Sequence, residues 1–367
     1  MEMIGKGKVV FVGMSGGVDS SVAAALLKAK GYDVIGIHLR CWNVDGCAEQ
    51  DAEDARRAAE VLDIPFYVLD FEKEYKKRVV NYMVDGYRRG ITPNPDVECN
   101  REIKFGLVLE RALSMGADYM ATGHYIRLHE IKNQKSKIKN YVLATARDSN
   151  KDQSYFLWTL TQKQLRHCLF PIGDYTKPQV RAMARKFGLP NAEKKDSQGI
   201  CFLGRVKLGD FLGDYIKPKA GHVKLVLGDG SYRTIGEHHG AHFYTIGQRH
   251  GIGVGGRAPL YVAEKDVKTN TLVVAEENNP ALYRNEIKLT NVNFVDQQPT
   301  TNNPQRVYVR VRYRQPLAKA DLQLTTNNLQ QKNAKLTFAK PQKAVAPGQS
   351  AVFYSKSGEM LGGGVIA

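Results

Sequence analysis

One passage near the N-terminus constrains this chain more than any other. A strand-like run, Lys8–Met14, passes directly into Gly13-Met14-Ser15-Gly16-Gly17-Val18-Asp19-Ser20-Ser21, and a helix pattern follows over Ser20–Lys30, stopped by Gly31. Glycines let the backbone turn sharply and present successive N–H groups, while the start of a helix adds positive dipole. Ser15, Ser20 and Ser21 can donate to phosphate oxygens. Asp19 repels phosphate, so Mg²⁺ between its carboxylate and the phosphates is the natural expectation. Gly-Lys-Ser/Thr is missing, which excludes a Walker A loop, and the spacing does not fit GxGxxG.

Around this loop the first third alternates strands and helices. Strands are expected at Tyr32–Arg40, Pro65–Phe71 and Ala117–Tyr125. Helices are expected at Ala48–Leu62, Glu72–Arg89 and Asn100–Met115. That alternation predicts an α/β domain with a parallel sheet covered on both faces, whose ligands sit at the carboxyl ends of the strands. Between 126 and 146 two short strands flank a Lys-rich turn, including the basic insert 131–139. From Asp152 to Leu212 the pattern is mainly helical, and beyond His222 short alternating runs indicate small β domains. The expected divisions are 1–210, a catalytic α/β domain with a helical extension from about 150; 211–280, a small β-rich domain; and 281–367, a β-barrel-like domain.

Charge narrows the partners. The chain of 367 residues carries 53 Lys+Arg and 37 Asp+Glu, a net +16. From Ala281 onward there are 12 basic and 4 acidic residues, net +8. Val307, Val309, Val311 and Tyr313 alternate with Arg306, Arg310, Arg312 and Arg314, which predicts a strand with one apolar and one arginine-rich face. Such surfaces suit nucleic-acid phosphates. No apolar run approaches the ~18 residues of a membrane span, and the charged N-terminus does not read as a signal peptide. A cytoplasmic protein is the expectation.

Five cysteines without a CxxC pair argue against a disulfide framework or a zinc ribbon. Cys168 reads as a core residue, and Cys41 and Cys47 receive no role. Cys99, in Thr92-Pro93-Asn94-Pro95-Asp96-Val97-Glu98-Cys99, sits in a proline-stiffened turn before a helix, which favours thiolate. Asp96 is close enough to serve as its acid or base. Cys201, in SQGICF, sits in a glycine-containing bend. Two separated thiols would suit sulfur transfer, one carrying a persulfide and the other resolving it.

Together SGGVDSS, TPNPDVECNREIKF, ATGHY, KDQSYFL, SQGICF and YTIGQRHG resemble the bacterial tRNA-specific 2-thiouridylases, within the PP-loop ATP pyrophosphatase superfamily. The resemblance runs from the first strand to the C-terminal APGQ. It implies that ATP is held by Gly13, Met14, Ser15, Gly16, Gly17, Val18, Asp19 and Ser20, with Leu39 and Gly123. Leu39 stands where the family pattern has methionine. It implies Cys99 as nucleophile, Cys201 as persulfide carrier, Asp96 as acid/base, and a catalytic disulfide between the two thiols. tRNA contacts would fall on Asn94, Pro95, Asp96, His124, Lys151, Asp152, Gln153, Arg312, Tyr313 and Gln349. The implied reaction is ATP-dependent 2-thiolation of the wobble uridine of tRNAs for lysine, glutamate and glutamine. A cysteine desulfurase or relay protein would supply the sulfur.

Overall fold

The computed structural model describes residues 5–42, 48–132, 139–196, 206–254, 258–296, 303–325 and 332–367. Cys201, Cys47 and most of the basic insert lie outside the described residues, as does the Cys99–Cys201 pairing.

Four strands follow the expected alternation: β1 (Val9–Gly13), β2 (Asp33–Arg40), β3 (Phe66–Asp70) and β4 (Tyr119–Thr122). A hairpin, β5 (Ile126–Lys132) and β6 (Lys139–Thr145), leaves this sheet, and a two-residue strand, β7 (Cys168–Leu169), returns to it. The order β3-β2-β1-β4-β7 is parallel throughout. The chain order reverses between β1 and β4, where such sheets open a crevice at their carboxyl ends. Val10, Phe11 and Val12 of β1 are buried on both faces. Helix α1 (Val18–Ala29) covers one face with Val22, Ala23, Ala24 and Leu27, and ends before Gly31, whose φ of 85° suits glycine alone. The opposite face is covered by helical runs over Glu72–Arg88 and Pro95–Ser114. The stretch Cys99–Val108 winds with wide π turns.

Among the described residues, the stretch 152–212 is less helical than its pattern suggested. The helices there are short, at Ser154–Phe156, Gln162–Leu165 and Leu208–Gly213, apart from Lys177–Lys186. Aromatic packing has overridden local propensity there: Tyr155, Leu157 and Trp158 are buried against the C-terminal strands.

The middle sheet comprises β8 (Gly221–Val226), β9 (Tyr232–His238), β10 (Leu260–Asp266) and β11 (Thr271–Glu276), in the order β10-β11-β8-β9. The last six strands are β12 (Tyr283–Phe294), β13 (Gln305–Arg310), β14 (Ala318–Leu324), β15 (Ala334–Lys343), β16 (Ser350–Tyr354) and β17 (Glu359–Ile366). They run β12-β15-β14-β13-β16-β17, and β12 pairs again with β17, closing a barrel. A register shift between Thr290 and Asn293 accompanies that closure. The outer edge of β17 also accepts β6 of the first domain, through Glu359–Ala144 and Met360–Leu143.

The arginine-rich strand needs correction. Val307, Val309 and Val311 do face the barrel core, but β13 ends at Arg310, and residues 311–314 form a turn. Arg306 pairs with Asp321 at 2.8 Å, and Arg310 reaches the buried Asp152 at 2.7 Å. Arg312 and Arg314 are exposed in the turn rather than on a strand face. Tyr313 lies against Phe156, with ring centroids 4.5 Å apart.

Candidate functional site

The phosphate loop is built largely from its own residues. Gly17 caps α1 in extended conformation, and the hydroxyls of Ser20 and Ser21 both donate to its carbonyl at 3.1 Å. The Ser15 N–H donates to Ser20 Oγ at 3.2 Å. Gly16 has φ 75°, and a Cβ there would lie 2.3 Å from the carbonyl oxygen of Asp51. Glycine is therefore required twice over, by conformation and by space. Met14 closes the loop through its N–H to Ile37, and its carbonyl meets His38 Nδ1 at 2.9 Å. Burial lowers the His38 pKa, which keeps that ring neutral. Leu39 lies at the carboxyl end of β2, half-buried and paired with Leu69.

Three distant residues complete the loop, and sequence reasoning missed all three. Lys177, the first residue of its helix, places Nζ 2.7 Å from Asp19 and 2.7 Å from Asp196. Its side chain is nearly buried. A capping box between Thr176 and Gln179 starts that helix and so fixes the lysine. The Tyr125 hydroxyl donates to the same Asp19 oxygen at 2.8 Å. Burial, then Asp19, pushes the Tyr125 pKa far upward, so it remains a donor. Asn191 donates to the Gly16 carbonyl at 3.0 Å and Ser21 Oγ at 2.9 Å. A TKP helix start is too common a pattern to signal the first of these contacts.

Asp196 is ringed by cations: Lys151, Lys177 and, at 3.2 Å, Arg181. Burial opposes its ionisation, but hydrogen bonds from Lys151 and Lys177 outweigh it, and the pKa is lowered. A basic cleft of about 500 Å³ lies beside this cluster, lined by Lys151, Lys177, Arg181 and Arg185 among others.

The Cys99 segment is a second, different construction. Asn94 caps the turn Pro95–Glu98 by accepting from the Val97 N–H at 3.2 Å, with Pro95 at the first helical position. Cys99 is buried, and Asp96 is half-exposed on the turn before it. Asn100 donates to the Phe156 carbonyl at 3.1 Å, while its Oδ1 is buried with no hydrogen-bond partner. The run Pro95–Ser114 covers the sheet and returns through four residues to the start of β4. Its first turn therefore lies toward the carboxyl edge, the edge that carries the phosphate loop.

Gly123 and His124, at the end of β4, tie the two constructions together. A Cβ on Gly123 would lie 2.6 Å from the Ser20 nitrogen, so β4 presses on the first turn of α1. The next residue, His124, lies against Phe105 of the Cys99 helix at 6.0 Å. His124 is buried, hydrogen-bonded through Nδ1 to Thr122 Oγ1 at 2.8 Å, and flanked also by Phe170. Burial, then Lys104, drives its pKa well below the ordinary value, so it is a neutral ring.

Several expected RNA-contact residues face protein in this structure. Asp152 is buried and accepts from Ala146 N–H, Ser154 N–H and Oγ, and Arg310. Gln153 accepts the Tyr125 N–H at 2.9 Å, and Lys151 pairs with Asp196. Gln349 donates to the carbonyls of Thr92 and Pro93. Lys151, Arg310 and Arg314 line another cleft of about 340 Å³, where the first domain meets the barrel.

This is an α/β nucleotide-type domain with a thiol-bearing second loop, joined to a middle sheet and a closed barrel. Comparison with known proteins gives the family. Residues 8–205 match the tRNA methyl transferase HUP domain, 209–276 the tRNA methyl transferase PRC-barrel domain, and 284–366 the aminomethyltransferase beta-barrel domain. The chain is 45% identical over 372 residues to tRNA-specific 2-thiouridylase MnmA 1 of Geobacillus kaustophilus, covering 98% of this chain and 96% of that protein. It is 44% identical to the Coxiella burnetii tRNA-specific 2-thiouridylase MnmA, covering 98% of each. For the Flavobacterium johnsoniae tRNA-specific 2-thiouridylase MnmA the identity is 42%, over 98% of this chain and all of that protein. The chain belongs to the tRNA-specific 2-thiouridylase family and is an enzyme of the sulfurtransferase class. Among the described residues, no helix is long and apolar enough to cross a membrane.

Proposed function

We propose that the protein uses ATP to convert the wobble uridine of tRNAs for lysine, glutamate and glutamine to 2-thiouridine. The observation that carries this reading is the Gly123–His124 step, which touches the phosphate loop with one residue and the Cys99 helix with the next. Residues 1–210 would do the chemistry, with 211–280 and 281–367 supporting it and binding RNA.

In the first half-reaction, uridine O2 attacks the α-phosphorus of ATP and pyrophosphate leaves. The loop N–H groups and the hydroxyls of Ser15, Ser20 and Ser21 bind the phosphate oxygens, with Leu39 and Gly123 against the nucleoside. Lys177 supplies the cation that the loop itself lacks. Lys177 and Tyr125 both donate to Asp19 Oδ1, so Oδ2 is the carboxylate oxygen that, together with the phosphates of the substrate, would hold Mg²⁺. When bound, Mg²⁺ would neutralise leaving-group charge. In the second half-reaction the terminal sulfur of a Cys201 persulfide reaches the activated C2, directly or as sulfide released by Cys99. AMP leaves; in the direct case Cys99 thiolate then attacks Cys201 Sγ of the C2–S–S–Cys201 adduct and frees the thiouridine, and in either case the two thiols end as a disulfide. Asp96 moves the proton. Asn94 and Pro95 surround the base, which must leave its stack to expose C2. Lys151, Arg312 and Tyr313 lie toward the RNA backbone.

Nucleoside mass spectrometry tests the reading. Unthiolated tRNA is incubated with the protein, Mg²⁺-ATP, cysteine and a cysteine desulfurase, then digested. ATP-dependent 2-thiouridine that disappears in Cys99→Ser and Cys201→Ser, with tRNA binding retained, is the expected result. Product formed without ATP would refute the adenylation step, and normal thiolation by Cys201→Ser would refute the carrier role.

A further inference from the structure

Two motifs, YTIGQRHG and APGQ, are left unused by the chemistry above, and the structure brings both to one residue. Thr92, four residues before Asp96, is buried where three domains meet. Its N–H donates to the carbonyl of Pro347 at 2.8 Å. Its carbonyl accepts from Gln349 Nε2 at 2.9 Å, and the same amide lies 3.3 Å from the Pro93 carbonyl. Its hydroxyl donates to Thr245 of the middle domain at 3.4 Å.

The surroundings leave little slack. Gly348 has φ 89°, and a Cβ on it would lie 3.0 Å from the Thr92 carbonyl group. A Cβ on Gly86 would lie 2.6 Å from the Pro93 ring. Gly247 of the middle domain has φ 83°, and a Cβ there would lie 2.2 Å from that of Ala344 in the barrel. Pro93 and Pro95 then stiffen the short path from Thr92 to the Asn94 cap. A displacement at Thr92 is therefore transmitted to Asp96 and Cys99 rather than absorbed.

We propose that Gln349 is a positioning residue: with Pro347 and Thr245 it grips Thr92 and so fixes the Asn94–Cys99 segment in its reactive place. The barrel thus completes the thiol loop, in addition to any contact with RNA. For its kinetic arm the inference rests on the thiolation reading above; for its labelling arm it does not.

The test compares wild type with Gln349→Ala, Gln349→Glu and Gly348→Ala in the full chain. Glutamate keeps the length of the side chain but has no N–H to donate, so it should behave as alanine does. Iodoacetamide labelling of Cys99, read by peptide mass spectrometry, should rise about ten-fold, while labelling of the equally buried Cys168 stays constant. The kcat for 2-thiouridine should fall ten- to roughly a hundred-fold, with KM for tRNA within about two-fold, because a misplacement near 1 Å is costly at the reacting groups. Thr245→Val should give the same pattern at about three-fold. Unchanged Cys99 labelling with raised KM for tRNA would overturn the proposal and make Gln349 an RNA contact only. Parallel labelling of Cys168 would overturn it too, as general loosening. If wild type makes no 2-thiouridine yet Cys99 labelling responds as described, the positioning role stands and the thiolation reading falls.

Discussion

The phosphate loop and the Cys99 segment occupy the same edge of one sheet and are held by opposite strategies. The first is closed by short-range bonds among Ser15, Gly17, Ser20 and Ser21, with a glycine wherever the backbone needs positive φ or close approach. The second has its Asn94 cap, but its place is set by Pro347 and Gln349, more than 250 residues away, and by Thr245. A polyphosphate is bound by a preformed cradle of N–H groups, which one strand–turn–helix unit can supply. On the reading proposed above, a thiol that must meet a base within a large RNA would need reference points on the other domains.

This contrast can be broken or sharpened by experiment. The largest effect should come from Asp152→Asn, which removes one partner of a buried pair between the first domain and the barrel. Destabilisation of about 3–5 kcal/mol is expected, seen as a lower denaturation midpoint of the full chain. A midpoint unchanged alongside weakened tRNA binding would return Asp152 to the RNA interface. Next, Gly16→Ala forces Asp51 away and strains the turn. It should cost about a hundred-fold in kcat/KM for ATP and leave the dissociation constant for tRNA as it was, since the loop's partners, Asp51, Tyr125, Lys177 and Asn191 included, all lie within the first domain. Coupled losses of both would show that the loop leans on the rest of the molecule after all.

Lys177→Met should weaken ATP binding about ten-fold by calorimetry with a non-hydrolysable analogue, and Lys177→Arg should recover part of it. Equal affinity in all three proteins would remove Lys177 from the phosphate site. The smallest effect concerns the seam between the middle domain and Tyr87. Lys265 donates to the Tyr244 carbonyl at 2.6 Å, and burial lowers its pKa to about 8. Between about 8 and the ordinary lysine value the unfolded chain binds more protons than the folded one, so this group makes stability rise with pH. Relative to Lys265→Met, the wild-type melting temperature should therefore gain about one to three degrees as pH rises from 8 to 10. A constant difference across that range would show that Lys265 is not desolvated.

Much of the first domain was legible because its signals are local. The apolar runs at Val9–Gly13 and Asp33–Arg40, the Gly31 stop and the Asn94-Pro95 cap all act within a few residues of where they are read. The phosphate loop was legible for the same reason. Lys177, Tyr125 and Asn191 were not, because each reaches Asp19 or Gly16 across more than 100 residues. The arginines after Gln305 misled in an instructive way. Alternation correctly placed the valines inside, but it could not show that Asp321 and Asp152 already neutralise Arg306 and Arg310. KDQSYFL likewise reads as a polar helix start, yet Tyr155 and Trp158 are buried beneath the barrel, bonded to Ser350. A surface residue and an interdomain residue look alike until the other domain is present.

The pairing of β6 with β17 has a consequence for synthesis on the ribosome. β6 is made early, but the strand end that covers its outer edge is made roughly 200 residues later, a delay on the order of 10–40 s at about 5–20 residues per second. Throughout that interval the nascent first domain shows an open strand edge, the template on which β-sheets join wrongly. A chain released early, short of Glu359, keeps that edge for good. Truncated products should accordingly be sticky, and the cell's quality control would recognise them by an unfinished seam in a domain completed long before.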